Sequence, residues 1–222
     1  MKKVVTKEML KGIILYLIYF AYTLVATNLI NNLHISNVSY IMLPADFIFL
    51  VFTIMLYKDN LRKDYISIKK KGLLKLLGKV LLGLFLLILS KGLMGMITDI
   101  LYTDLPTDTN TSAIVDLFNN SFFYAFFKTL IFAPIAEEIL FRESLRPFVK
   151  SNILFIIISA LIYTLMNFIF SSTGSFTLID LLIYLVPALV LSYIYINNDN
   201  NIIIVMIIKF IMQFIPCIML IV

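Results

Sequence analysis

Apolar stretches long enough to cross a bilayer recur about seven times along this chain, and that recurrence leaves it few ways to fold. A transmembrane helix needs about 20 mostly apolar residues, since each residue rises about 1.5 Å through a hydrocarbon core about 30 Å thick. Inside that core every backbone N–H and C=O must find its partner within the protein, so such stretches are helical. The expected fold is therefore all-α, a polytopic membrane helical bundle of about seven transmembrane helices. Of the 222 residues, 61% are hydrophobic, and the mean hydropathy is +1.01. A soluble domain has roughly half its residues apolar. Spans on this scale use most of the length and leave no room for a second, soluble domain.

The spans are placed at about Gly12–Leu29, Tyr40–Tyr57, Val80–Ile100, Ser121 to the segment around Arg142, Asn152–Phe170, Thr177–Ile196 and Ile202–Val222. Lys2, Lys3, Lys7 and Lys11 precede the first span, and no A-x-A cleavage site follows it, so it is expected to be retained. Lys and Arg alternate between connections. The N-terminus, the Lys58–Lys79 segment and the stretch after Arg142 are basic, while 31–39, 102–120 and 171–176 have neither residue. By the positive-inside rule the N-terminus is cytoplasmic. The net charge of +5 then reflects topology and contact with anionic lipid; it does not argue for nucleic acid. Residues 58–79 read as a cytoplasmic loop, or over Lys69–Lys79 as an interfacial helix on anionic lipid. The single cysteine, Cys217, allows no internal disulfide. The single histidine, His34, reads as a loop residue. An excess of Ile, Asn and Lys over Ala, Gly and Arg suggests an AT-rich bacterial genome, so the expected location is a bacterial plasma membrane.

Against this background the charges within spans stand out, because a charged side chain at the bilayer centre costs a few kcal/mol or more. Glu137, Glu138 and Arg142 fall together in Ala133-Pro134-Ile135-Ala136-Glu137-Glu138-Ile139-Leu140-Phe141-Arg142. Glu138 and Arg142, four apart, share a helix face and can pair. Such a pair can lock two helices together or mark a functional site. Lys209 lies about seven residues inside the last span and must snorkel or pair. Pairing with Glu137 or Glu138 across the bundle is one expectation, and snorkelling to the surface the other. Asp46, which follows Pro44, can cap a broken helix or pair with Lys91 or Lys128. Asp180 reads as interfacial.

The string Glu-Glu-x-x-x-Arg resembles the first motif of the CAAX-protease and bacteriocin-processing (CPBP/Abi) family of intramembrane glutamate endopeptidases. That family also carries Phe-x-x-x-His about thirty residues on and His-x-x-x-Asn/Asp near the C-terminus. At those spacings this chain has Tyr163-Thr164-Leu165-Met166-Asn167 and Lys209-Phe210-Ile211-Met212-Gln213. The resemblance covers roughly Ser121 to Gln213. It implies a glutamate that activates water, with Glu137, Glu138, Arg142, Asn167, Lys209 and Gln213 as the catalytic candidates. It also implies a membrane-associated peptide or protein as substrate or partner. No cofactor or metal is expected. The departure lies in the motif histidines, replaced by Asn167 and Lys209. Asn167 and Gln213 can hydrogen-bond a water or an oxyanion but do not titrate. A fixed ammonium beside a glutamate makes it a poorer base.

Three functions follow from these residues. One is an intramembrane glutamate endopeptidase. Another is a catalytically silent relative that acts as a membrane scaffold, a regulator or a bacteriocin self-immunity protein. The third is a small substrate-binding transporter subunit. Residues 1–120 are expected to form N-terminal membrane helices with the basic loop 58–79, and 121–222 the core that carries the motifs.

Overall fold

The computed structural model describes residues 6–33, 39–101, 118, 120–169 and 178–219. His34 lies outside them, as does the side chain of Asp180. Among the described residues seven helices follow one another and no strand occurs. They are α1 (Lys7–Leu33), α2 (Ser39–Lys71), α3 (Leu73–Leu101), α4 (120–143), α5 (Asn152–Ile169), α6 (Leu178–Asn197) and α7 (Ile202–Met219). By length and apolarity α1, α2 and α3 each suffice to cross a bilayer; apolar stretches of α5, α6 and α7 are shorter.

The basic stretch, read as a loop or over Lys69–Lys79 as an interfacial helix, is helical from Lys58 to Lys71 and again from Leu73. α2 runs unbroken from Ser39 through Pro44 to Lys71, 33 residues, or about 50 Å. Lysine and arginine are good helix formers, and charge alone gave no reason for the helix to stop. It stops at Gly72, whose φ of +86° is a conformation that glycine adopts without steric cost. α3 starts at the next residue, so Lys69–Lys79 is split between two helices.

The other tight connection is the Asn-rich turn between α6 and α7. Asp199 (φ 60°) and Asn200 (φ 56°) are left-handed, a region that Asn and Asp tolerate best among residues with a side chain. Asn201 caps α7 by accepting from the Ile204 N–H at 3.4 Å. Asp64 of α2 accepts from the Ile202 N–H at 2.8 Å and also receives Asn201 Nδ2 on its carbonyl at 3.1 Å. A carboxylate suits this helix N-terminus. Lys71 meets Asp199 at 2.6 Å, and that hydrogen bond holds the Asp199 carboxyl below the usual carboxylate range.

Two apolar cores organise the bundle. Leu15, Phe49, Tyr57, Phe132, Ile139 and Phe141 join α1, α2 and α4. Leu87, Phe155, Leu191, Tyr195, Val205 and Ile208 join α3, α5, α6 and α7. Lipid tails are as apolar as leucine, so close approach and buried hydrogen bonds must hold such helices together. Gly12 supplies close approach: a Cβ there would lie 2.6 Å from the Ser144 carbonyl oxygen. Ser192 on α6 donates to Ser159 on α5 at 3.1 Å, and Ser159 donates to the Phe141 carbonyl on α4 at 2.7 Å. α4 and α7 pack against each other where the two cores adjoin.

Candidate functional site

The site begins with an irregularity in α4. Over Lys128–Glu137 and Ile139–Glu143 the backbone forms wide, five-residue turns, continued by the Ser144 N–H donating to the Ile139 carbonyl at 2.9 Å. Pro134 sits inside this segment and brings no N–H to the ladder. Wide turns of this kind are uncommon and often mark functional sites. Here they carry Glu137, Glu138 and Arg142.

Lys209 of α7 reaches both glutamates. Its Nζ donates to Glu137 Oε2 at 2.9 Å and to Glu138 Oε1 at 2.8 Å. Arg142 Nη1 donates to the same Glu138 Oε1 at 3.0 Å. Four full charges thus meet, two of each sign, and they sum to zero. The Glu138 and Arg142 side chains are fully buried, Lys209 is 6% exposed and Glu137 19%. Opposite charges at these distances in a dry interior attract one another far more strongly than in water. Pairing is thus the outcome for Lys209, and snorkelling is not.

Tyr163 of α5 roofs the cluster. Its ring centroid lies 5.2 Å from Lys209 Nζ and 4.9 Å from Arg142 Cζ, so both cations face an aromatic ring. The Phe141 ring packs edge-on against it with centroids 5.2 Å apart. Several polar atoms here are buried without a hydrogen-bond partner among the described residues: Glu138 Oε2, Arg142 Nε and Nη2, and Gln213 Oε1.

Of the six candidates, Glu137, Glu138, Arg142 and Lys209 form one bonded cluster. Asn167 donates Nδ2 to the Tyr163 carbonyl of its own helix at 2.8 Å. α4 ends at Glu143 and α5 starts at Asn152. Asn167 lies one turn beyond Tyr163, whose ring meets Lys209 and Arg142. Gln213 follows Lys209 by one turn on α7. Tyr163 is the residue that spacing overlooked; an aromatic at that motif position was the available signal. Glu143, which follows Arg142, accepts from Asn60 at 2.8 Å and from Tyr195 at 2.7 Å, which ties α4 to α2 and α6.

A second buried charge stands nearer the other end of α4. Asp46 of α2 accepts from Lys128 Nζ at 2.8 Å, Tyr124 at 3.0 Å and Tyr22 at 3.1 Å. Of the roles open to Asp46, pairing with Lys128 is the one realised. No group of three or more His, Cys, Asp or Glu able to hold a metal ion occurs among the described residues.

Residues 119–215 match the family model described as type II CAAX prenyl endopeptidase Rce1-like. This is the CAAX-protease family that the Glu-Glu-x-x-x-Arg motif resembles, over nearly the same residues. No curated protein and no solved structure matches the chain.

Proposed function

We propose, from the Rce1-like match over residues 119–215 and the charge cluster within it, that this chain is a CAAX-protease-like multi-pass membrane protein whose glutamate pair is an ion-pair lock rather than a hydrolytic centre. It would act as a membrane scaffold or regulator, a role that includes immunity to a membrane-active peptide. One observation carries this reading: the Lys209 ammonium bridges both glutamates. A general base must present a lone pair to water and take up its proton. Here the oxygens nearest the centre already accept from Lys209 and Arg142. Protonating either glutamate would leave a cation short of its counter-charge in a dry interior. The cluster contains no histidine to share the task.

The second reading, a working glutamate endopeptidase, is favoured by the family match and by Glu137. That side chain keeps 19% exposure and is bonded through Oε2, so its other oxygen could address a water. Lys209 would then stabilise the developing oxyanion.

Purified protein in lipid vesicles, given a prenylated peptide of the CAAX type, separates the two by mass spectrometry of the products. The lock predicts intact peptide. Cleavage by the parent protein that is lost in Glu137→Gln, at equal amounts of folded protein, would establish the endopeptidase.

A further inference from the structure

The break at Gly72 makes the end of α2 and the start of α3 a helical hairpin with an unusual surface. α2 is about 50 Å long, whereas the hydrocarbon core is about 30 Å thick. Its apolar part ends near Tyr57, so 58–71 continues beyond the hydrocarbon. That extension and the first turns of α3 carry Lys58, Arg62, Lys63, Lys69, Lys70, Lys71, Lys75 and Lys79 against only Asp59 and Asp64. Lys71 is engaged by Asp199, and Asp64 faces the start of α7. Among the described residues neither Lys63 nor Lys70 has an ion-pair partner.

These lysines are interleaved with exposed apolar side chains. Leu73 is 71% exposed, Leu74 85% and Tyr65 60%. A soluble tip has no reason to present leucines this way, and a segment deep in hydrocarbon could not carry so many ammonium groups. Leucine beside lysine is the composition of an interface, where the apolar part enters the acyl boundary and the cations meet headgroups. A groove of about 360 Å³ lies on the α2 side, lined by Lys63, Ile66, Ser67, Lys70 and Lys71. Positions 63, 67 and 70 follow one another at helical spacing along a single face. The groove wall is mostly apolar, from Ile66 and the lysine stems, and the Lys63 and Lys70 side chains with the Ser67 hydroxyl bring to it the groups that a phosphate bonds.

We propose that this α2–α3 hairpin is a lipid-docking surface, whose Lys63–Ser67–Lys70 groove takes the phosphate of an anionic phospholipid in the leaflet from which α2 emerges. Asp64 and Lys71 meet Ile202 and Asp199 at the α6–α7 turn, so the extension crosses the ends of α6 and α7 instead of standing away from the bilayer, and Leu73 and Leu74 come to the acyl boundary. This reading is independent of whether the glutamate cluster is hydrolytic.

The chain contains no tryptophan, so Leu74→Trp creates a single fluorescent reporter at a site exposed enough to leave the fold intact. The protein is reconstituted into phosphatidylcholine vesicles with and without phosphatidylglycerol, using brominated acyl chains as quenchers. Leu81→Trp, on the exposed face of α3, serves as the control quenched in both. With phosphatidylglycerol, the emission of the Leu74→Trp protein is expected to be blue-shifted and quenched. Raised salt should reverse this, as should Lys63→Gln with Lys70→Gln, each lysine contributing roughly fivefold to the lipid preference. Emission typical of water in both vesicles would overturn the proposal and point to an acidic protein partner. Quenching that is equal in both vesicles and indifferent to the lysine substitutions would overturn the anionic recognition.

Discussion

Lys209 and Glu138 meet at 2.8 Å across the α7–α4 interface, and Glu138 is at the same time bonded to Arg142 on its own helix. The helix pair is thus held by a charge network whose members each answer to at least one opposite partner. Removing any single member leaves an uncompensated charge in a dry place, and that cost exceeds the net value of the intact network.

Lys209→Met tests this directly. Methionine keeps much of the length and removes the charge, leaving Glu137 and Glu138 with Arg142 alone. The expected loss is about 3–5 kcal/mol of stability, read as a fall in thermal unfolding temperature in detergent. Adding Glu137→Gln to Lys209→Met should recover part of the loss, because the remaining Glu138–Arg142 pair is balanced. If the double variant is no more stable than Lys209→Met, the charge-balance account fails.

The two glutamates should differ in consequence. Glu138 is fully buried and accepts from two cations, whereas Glu137 is partly exposed and accepts from one. Glu138→Gln strands Arg142, which has two further guanidinium nitrogens without partners. It is expected to lower the unfolding temperature clearly more than Glu137→Gln does. Equal shifts would mean that the burial difference carries no energetic weight.

The outline of this bundle is legible in the sequence for a physical reason: apolar span length is a property of composition, and bilayer thickness converts it into helices. The Glu138–Arg142 pair is legible because four-residue spacing survives even in widened turns. Lys209 could be expected to pair because an ammonium inside a span has few alternatives. What was not legible depends on hydrogen-bond register and helix phase. The wide turns of α4 leave no compositional trace beyond Pro134. The 58–79 stretch read as a loop or, over Lys69–Lys79, as an interfacial helix, because charge alone does not say where a helix stops, although its lysines favour helix. Spacing pointed to the polar Asn167 and did not single out Tyr163 one turn earlier, whose ring meets both cations, because an aromatic in a span reads as apolar packing. Among three possible roles for Asp46, the choice of Lys128 required the relative height of α2 and α4.

Gly12 gives a prediction about packing rather than charge. Its Cα lies so close to the Ser144 carbonyl that an added Cβ would sit 2.6 Å from that oxygen and 2.9 Å from the Phe148 ring. The obstacle is backbone, which cannot rotate away, so α1 must move off the end of α4. Gly12→Ala is expected to destabilise by about 1–3 kcal/mol, despite alanine's better helix propensity. A stabilised variant in the same thermal assay would show that α1 is not seated against Ser144.

Asp46 makes the closing test, because its partner can escape. Asp46 is fully buried and serves three donors, but the Lys128 side chain is 29% exposed and its Nζ lies 3.9 Å from the Phe132 ring centroid. In Asp46→Asn the amide retains one acceptor oxygen and turns two N–H donors toward groups that are themselves donors. Tyr22 and Tyr124 then compete for one oxygen, while Lys128 loses its counter-charge. Unlike Lys209, Lys128 can swing its ammonium toward the surface and keep its aromatic contact. The expected cost is therefore smaller, about 1–3 kcal/mol, or a shift of roughly 2–4 °C per kcal/mol for a chain of this size. Asp46→Asn combined with Lys128→Met should lie close to Asp46→Asn alone if the ammonium has already left. A large further recovery would show that Lys128 stays buried, and that this second pair is as closed as the one at Lys209.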